Sequence, residues 1–264
     1  MTDSPYAVGD ILGFFSTKGG VGKTTMTANV GATLKHEFDF EVLLVDTHIL
    51  GADLSSHFGL LNPPVHIKDM LSGKLPPEKT VYKDPRTGVS IIPGPFHPDQ
   101  QTSTFKNFKK FIKPLKNDYD FILVDTPPWL GKETAGIIKA MDECIIVGTP
   151  AVSGMMEAKR TQDLLKRRKA EIGGIVLNFY RGFDYELHPE EVQSFLKGVP
   201  LLGVVPEDEK IRRSLGYGVP AVISSPGSPG VEGIMEVAAA IGEVSWEPPP
   251  RGLLSRILSL FGRR

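Results

Sequence analysis

The sequence predicts a doubly wound α/β fold built on a mostly parallel sheet. Apolar runs alternate with segments of helical period along most of the chain. Several runs are apolar on both faces, as expected of parallel strands that helices cover on each side. A glycine-rich stretch follows the first run and precedes the first helical segment. We therefore expect a ligand at the carboxyl ends of the strands.

Each predicted element comes from its own apolar pattern. The predicted strands cover residues 11–16, 42–46, 89–93, 121–125, 144–149, 174–178 and 201–205. The predicted helices cover residues 23–36, 104–113, 131–140, 153–171, 189–197, 208–216 and 230–243.

The composition excludes several classes of protein. The 264 residues include 30 basic and 31 acidic side chains, so no bulk charge indicates a nucleic acid or an acidic substrate. The single cysteine, Cys144, lies in an apolar run, which excludes an intramolecular disulfide and a cysteine-only metal site. No secretory signal and no apolar run of about 18 residues are found, so we expect a cytoplasmic protein without a spanning helix.

Residues 16–25, Ser-Thr-Lys-Gly-Gly-Val-Gly-Lys-Thr-Thr, lie between a predicted strand and a predicted helix. This is the context of a phosphate-binding loop, in which glycines let backbone N–H groups face an anion. The start of the helix adds the positive end of its dipole. We expect Lys23 to reach the β- and γ-phosphates of a nucleotide and the Thr24 hydroxyl to complete the shell of a magnesium ion. The expected nucleotide contacts of the loop are Lys18, Gly19, Gly20, Val21, Gly22, Lys23, Thr24 and Thr25.

The loop departs from the ordinary motif. Thr17 stands where the first glycine of G-x-x-x-x-G-K-[ST] would fall, and Lys18 adds a second cation. Residues 18–25 match K-G-G-x-G-K-[ST]-[ST], and with them the chain resembles the MinD/ParA family of deviant Walker ATPases. The resemblance covers roughly residues 10–242 and the C-terminal segment. It implies a P-loop NTPase fold, ATP and magnesium as cofactors, and an ATP-dependent homodimer in which Lys18 touches the partner's phosphates.

Two predicted strands end in aspartate. Asp125, followed by Thr-Pro-Pro, is typical of a Walker B strand and is the second expected magnesium residue beside Thr24. Asp46 ends the other strand, in a segment that resembles switch I of the family, where D-x-D is common. His48 stands at the second acidic position.

A neutral imidazole accepts a proton from water but carries no charge to act on the magnesium shell. We therefore expect slow hydrolysis, or hydrolysis aided by Asp46, Asp53 or a partner protein. Alternatively, His48 simply lines the loop. The expected catalytic residues are Lys18, Lys23, Asp46 and His48.

The nucleotide base is expected at the ends of two later strands. Asn178 ends the run 174–178, and its amide can pair with the adenine edge. Pro206 and Glu207 follow the next run and resemble the family segment that lines the adenine. Asn178 could instead be a turn residue, and Asp208 could be a helix cap.

The pattern changes after Ser245, which predicts an ATPase domain over 1–244, a proline-rich linker over 245–250 and an amphipathic helix over 251–264. One face of that helix is apolar, with Leu253, Leu254, Ile257, Leu258, Leu260 and Phe261. Arginines flank this face, so we expect it to lie on an anionic membrane surface. MinD-type family members end in a similar helix. The alternatives are a helix docked on its own domain and a helix bound by another protein.

Together these features predict an ATPase that couples ATP-dependent dimerisation to reversible membrane binding, at the inner face of the cell membrane. Such family members position the division site or other structures with an activating or cargo protein, which this sequence does not identify. A ParA-type DNA partition ATPase is the first rival, with basic clusters over 106–116 and 166–169. A nonhydrolytic nucleotide-gated scaffold is the second, supported only by His48. An iron–sulfur carrier is disfavoured by the single cysteine.

Overall fold

A computed structural model describes residues 9–49, 51–96, 105–128, 131 and 134–248. Its strands are β1 (Asp10–Phe15), β2 (Val42–Asp46), β3 (Tyr82–Lys83), β4 (Ser90–Ile92), β5 (Phe121–Asp125), β6 (Glu143–Gly148), β7 (Ile172–Tyr180) and β8 (Leu201–Pro206). Its helices are α1 (Lys23–His36), α2 (Ile67–Leu71), α3 (Phe108–Ile112), α4 (Ala135–Ile138), α5 (Val152–Arg167), α6 (Pro189–Phe195), α7 (Glu209–Tyr217), α8 (Ala221–Ser224) and α9 (Pro229–Gly242).

Within the described ranges the strands form one eight-stranded sheet in the order β3-β4-β2-β5-β1-β6-β7-β8. Among the strand pairings of the described residues, β3–β4 alone is antiparallel, which confirms the predicted doubly wound, mostly parallel sheet. The chain extends the sheet from β1 in both directions. The loop after β1 therefore lies at the switch point of the topology, where open α/β sheets bind ligands.

Both faces of the sheet are covered, as the two-sided apolar runs predicted. In β1, Leu12 and Phe14 belong to one apolar cluster, whereas Ile11 and Phe15 belong to the other. Residues of α1 and α9 complete the first cluster, and residues of α3, α5 and α6 complete the second. Because apolar clusters pack against both faces of the sheet, the strand ends next to the glycine loop are held in position.

The sequence missed the shortest elements. The edge strand β3 has two residues, too few to show alternation, and α2 and α8 have five and four. Short 3₁₀ helices of five residues at Leu54–Phe58 and four residues at Pro77–Thr80 were likewise not predicted. The predicted strand 174–178 is longer at both ends, since β7 covers Ile172–Tyr180.

Three predicted helices were too long or too regular. The helix predicted over 104–113 is α3 with 3₁₀ turns at Phe105–Asn107 and Lys113–Asn117, where Pro114 offers no N–H for α-helical bonding. Among the described residues of the segment 131–140, only Ala135–Ile138 is α-helix. Helix α5 ends at Arg167 rather than 171, because Lys169 adopts a left-handed φ of 57° and turns the chain towards β7.

The predicted tail lies outside the described residues. This applies to the apolar face named above, to the helix over 251–264 and to the last two linker positions, 249 and 250. Residues 245–248 follow α9 without helix or strand. Across the part of the chain that the structure describes, the helices are all too short or too polar to span a membrane.

Candidate nucleotide site

The glycine loop connects β1 to α1 in a conformation that needs glycine. Gly20 and Gly22 have φ values of 76° and 93°, in the left-handed region. Gly22 caps α1, and a Cβ there would lie 2.2 Å from Asn178 Nδ2. The 14-residue helix has neither a side-chain cap nor an acidic residue in its first turn. Its N-terminus is therefore free to stabilise an anion.

Lys23 and Thr24 start α1 and face the end of β5. Lys23 is buried, and burial lowers its pKa, an effect that the nearby charge of Asp125 opposes. The Thr24 hydroxyl donates to Asp125 Oδ2 at 2.7 Å. The structure thus brings the predicted lysine, hydroxyl and carboxylate together, although Thr24 and Asp125 are 101 residues apart.

Asp125 carries an unused oxygen. Its Oδ1 is buried and has no hydrogen-bond partner among the described residues. Burial raises the pKa of Asp125 to about 6, while the Thr24 hydroxyl and Lys23 act in the opposite direction. A buried carboxylate oxygen without a donor is costly unless a cation or an ordered water approaches it. Together with the Thr24 hydroxyl it offers the hard oxygen ligands that magnesium prefers, so these residues fit the ion.

Asp46 lies beside Asp125 in the sheet and is equally buried. Its Oδ1 accepts the backbone N–H of His48 at 2.8 Å, and its Oδ2 accepts that of Leu54 at 3.2 Å. Burial raises its pKa well above the usual range, and the charge of Asp125 raises it further. Asp46 therefore holds the loop after β2 against the end of its own strand.

His48 lies in that loop and is half-buried. Burial lowers the pKa of its imidazole, and the charge of Lys23 lowers it further. The imidazole is therefore neutral near pH 7, the protonation state in which it can accept a proton from water. No contact in the described residues assigns it a catalytic role, which stays a prediction.

Lys18 is exposed at the start of the loop, where it borders a cavity of about 810 Å³ with Glu157, Arg160 and Arg167. The preceding residue, Thr17, is bound to α5: its hydroxyl donates to Glu157 Oε2 at 2.8 Å. The sequence shows that Thr17 replaces a glycine, but it does not predict the contact with Glu157. The two residues are 140 positions apart, and no local pattern links them.

The expected base site is a separate, small cavity. Asn178, Pro206 and Glu207 line a space of about 130 Å³ next to Thr25 and Phe179. Asn178 Nδ2 donates to the Val21 carbonyl at 2.8 Å, which joins β7 to the phosphate loop.

The Glu207 side chain is held by Arg181 and Arg212 in ion pairs. Asp208 caps α7, where it accepts the Lys210 N–H, as the alternative interpretation of this residue proposed. Phe179, which the sequence did not predict as part of this site, is a non-glycine residue with a φ of 62° and lies beside Gly22.

Known proteins resemble the chain over nearly its whole length. Residues 7–242 match the family model ParA, described as "NUBPL iron-transfer P-loop NTPase". An uncharacterized ATP-binding protein of Methanocaldococcus jannaschii is 32% identical over 255 residues, covering 94% of this chain and 96% of that protein.

Solved structures of two MinD proteins are also similar to the chain. MinD of Pyrococcus furiosus is 32% identical, with a TM-score of 0.83 over 90% of this chain and 100% of that one. MinD of Pyrococcus horikoshii, complexed with Mg-ADP, is 33% identical, with a TM-score of 0.81 over 88% of this chain and 95% of that one.

Proposed function

Because the chain belongs to the ParA/MinD family of P-loop NTPases, we propose that it hydrolyses ATP and uses ATP-dependent dimerisation to control binding to an anionic membrane. The observation that carries the nucleotide part is the Thr24–Asp125 contact with its unpartnered carboxylate oxygen, beside the buried Lys23. Mg-ADP in the similar Pyrococcus horikoshii MinD supports ATP and magnesium as the cofactors here.

Each residue of the site has a part in this proposal. Lys23 and the N–H groups of residues 19–25 would bind the phosphates, and Thr24 and Asp125 would hold the magnesium ion. When bound, the ion neutralises charge on the β- and γ-phosphates. Lys18 is exposed at the start of the loop, and in the proposed dimer it would reach the phosphates of the second copy.

The loop after β2 would orient the attacking water. Asp46 fixes this loop through the N–H groups of His48 and Leu54, and His48 supplies a neutral imidazole at the position of the second acidic residue. Such an imidazole accepts a proton without adding negative charge near magnesium. We therefore propose slow turnover that a partner protein accelerates.

At the other end of the site, Asn178, Pro206 and Glu207 would line the adenine. The Asn178 amide already binds the Val21 carbonyl, so it would fix the base site relative to the phosphate loop. Arg181 and Arg212 hold Glu207 in place through the two ion pairs.

The membrane part of the proposal rests on the sequence of the tail. A 14-residue amphipathic helix can lie in a bilayer interface, and two copies in a dimer bind more tightly than one through effective concentration. The protein would then be cytoplasmic as a monomer and peripheral at the inner face of the cell membrane as an ATP-bound dimer. A second protein, which this sequence does not identify, would activate hydrolysis or be the cargo that this ATPase positions.

Cosedimentation with vesicles tests this coupling. We expect the full chain to sediment with phosphatidylglycerol-containing vesicles in the presence of magnesium and a nonhydrolysable ATP analogue, and to remain in solution with ADP. Deletion of residues 251–264 should abolish sedimentation and leave nucleotide affinity unchanged. Equal sedimentation of the truncated protein would refute the role of the tail, and a monomer at saturating analogue would refute the switch.

One observation favours a second candidate, a DNA partition ATPase. Lys109, Lys110, Lys113 and Lys116 line an open groove of about 740 Å³ on the outer side of α3. Lys116 is already paired with Asp142 at 2.7 Å, which reduces the charge that this groove offers to phosphates. A gel shift of duplex DNA that requires ATP and disappears with added salt would favour this candidate over membrane binding.

The iron transfer in the description of the family model is not part of the proposal. The chain has one cysteine, Cys144, which is fully buried in β6. Burial raises the pKa of its thiol to about 12, so it remains protonated. A protonated thiol inside the sheet is a poor ligand for iron.

A further inference from the structure

The start of the phosphate loop is held by helix α5 through both the backbone and the side chain of Thr17. The Thr17 N–H donates to Thr161 Oγ1 at 3.0 Å, and the Thr17 hydroxyl donates to Glu157 Oε2 at 2.8 Å. We call these two contacts the Thr17 tether. They bring Thr17 into direct contact with residues 144 and 140 positions away in the sequence.

The hydrogen bonds of the tether are mutually consistent. The Thr161 hydroxyl donates to the Glu157 carbonyl at 2.9 Å, so its oxygen lone pairs accept the Thr17 N–H. Glu157 uses its second carboxylate oxygen for Arg160. Thr161 is fully buried and the Glu157 side chain is 24% exposed, so water competes weakly for these contacts. Each hydroxyl hydrogen thus has its own acceptor.

The Thr17 tether fixes the backbone directly before Lys18 and so affects the direction of the Lys18 side chain. An ordinary phosphate loop has glycine at position 17, which offers no hydroxyl for such a bond. Lys18 comes next in the chain, is exposed, and donates its own N–H to Ser16 Oγ at 3.2 Å. A long lysine side chain has many rotamers, and fixing the backbone on its N-terminal side restricts the directions that it can take.

We propose that the Thr17 tether positions Lys18 for its contact with the phosphates of a second copy. This inference rests on the proposed ATP-dependent dimer. Thr17 and Glu157 are positioning residues, because they touch the loop and not the nucleotide. The tether also connects α5, which exposes Val152 and Met156 at its first turns, to the lysine that joins the two copies.

The experiment compares Thr17→Val, which removes the hydroxyl at nearly constant shape, with Thr17→Ser, which keeps it. The dimer dissociation constant is measured by analytical ultracentrifugation with magnesium and a nonhydrolysable ATP analogue. Loss of a hydrogen bond to a carboxylate predicts dimerisation weakened about tenfold in Thr17→Val. Thr17→Ser should match the wild type, and Lys18→Ala should lose more than Thr17→Val.

Affinity of the monomer for ADP separates positioning from general damage to the loop. It should change less than about twofold in Thr17→Val, since the Thr17 hydroxyl is bound to α5 and Thr17 is not among the expected nucleotide contacts, residues 18–25. Glu157→Gln keeps an acceptor but loses the charge, and should weaken dimerisation about threefold. Asp39→Asn, which neutralises an exposed carboxylate paired with Lys35 at 3.2 Å, is the matched control and should have no effect.

Three results would overturn the inference. Thr17→Val could dimerise as well as the wild type, it could lose ADP affinity as strongly as dimerisation, or Thr17→Ser could fail to restore dimerisation. A wild-type chain that stays monomeric with the analogue would overturn the proposed function together with the tether. A dimeric wild type with an equally dimeric Thr17→Val would overturn the tether alone.

Discussion

Strands β2 and β5 lie side by side, and each ends in a fully buried aspartate. At the end of β2, both oxygens of Asp46 accept backbone N–H groups, from His48 and Leu54. At the end of β5, Asp125 accepts the Thr24 hydroxyl, and its other oxygen has no partner among the described residues. Two similar sequence patterns thus produce one carboxylate that organises a loop and one that is available to a cation.

The largest expected effect follows from replacing the available carboxylate. In Asp125→Asn the amide oxygen accepts the Thr24 hydroxyl, and the NH₂ group takes the position of the unpartnered oxygen, where it cannot bind magnesium. Single-turnover ATP hydrolysis with magnesium should fall about 10²- to 10³-fold. The apo protein should unfold at the same or a higher temperature, since a buried charge is removed.

ADP binding without magnesium is the control for Asp125→Asn and should be unchanged. Hydrolysis at the wild-type rate in this variant would contradict the assignment of Asp125 as the magnesium residue.

The next effect concerns the turn that supplies the Leu54 N–H to Asp46. His57 lies in this turn, and burial lowers the pKa of its imidazole to about 4. In the unfolded chain His57 binds a proton below about pH 6.5, whereas in the folded chain it does so only near pH 4. The contribution of the neutral His57 to the free energy of unfolding is therefore complete above about pH 6.5 and is lost as the pH falls towards 4. From pH 7.5 to 5 the wild type should lose about 2 kcal/mol more unfolding free energy than His57→Gln.

Urea unfolding of both proteins at the two pH values measures this difference. Subtracting the two pH responses removes the contributions of the other titrating groups, which both proteins share. The same loss of stability in both proteins would show that His57 is not buried as a neutral side chain.

Substitutions of His48, in the loop after β2, test the proposed role of this loop in hydrolysis. His48→Asp would place a carboxylate where the neutral imidazole lies, and we expect steady-state ATP turnover to rise about tenfold. His48→Asn has the shape of aspartate without its charge and should show no gain. A wild type that already turns over quickly, and that His48→Asp slows, would contradict the proposed slow hydrolysis.

The contrast between the two aspartates also marks how far the sequence could predict the site. The glycine loop, both strand-ending aspartates and the helix starting at Lys23 follow from local pattern, and the structure places them together. The two roles depend on the Leu54 N–H reaching Asp46 from eight positions away and on Thr24, in the first turn of α1, lying in contact with Asp125 at the end of β5. The Thr17–Glu157 contact could not be predicted either, because tertiary packing alone brings these two distant residues together.

The smallest effect, and the sharpest test of the contrast, is expected for Asp46→Asn. The amide offers one acceptor to two backbone N–H groups, so one N–H faces an NH₂ group and loses its bond. Unfolding free energy at pH 8 should fall by about 1 kcal/mol. Single-turnover hydrolysis should fall much less than in Asp125→Asn, because the loop is loosened while the magnesium residues remain. If Asp46→Asn kept full stability and lost hydrolysis as completely as Asp125→Asn, Asp46 would touch the reacting groups directly, and the division of roles between the two strand ends would be wrong.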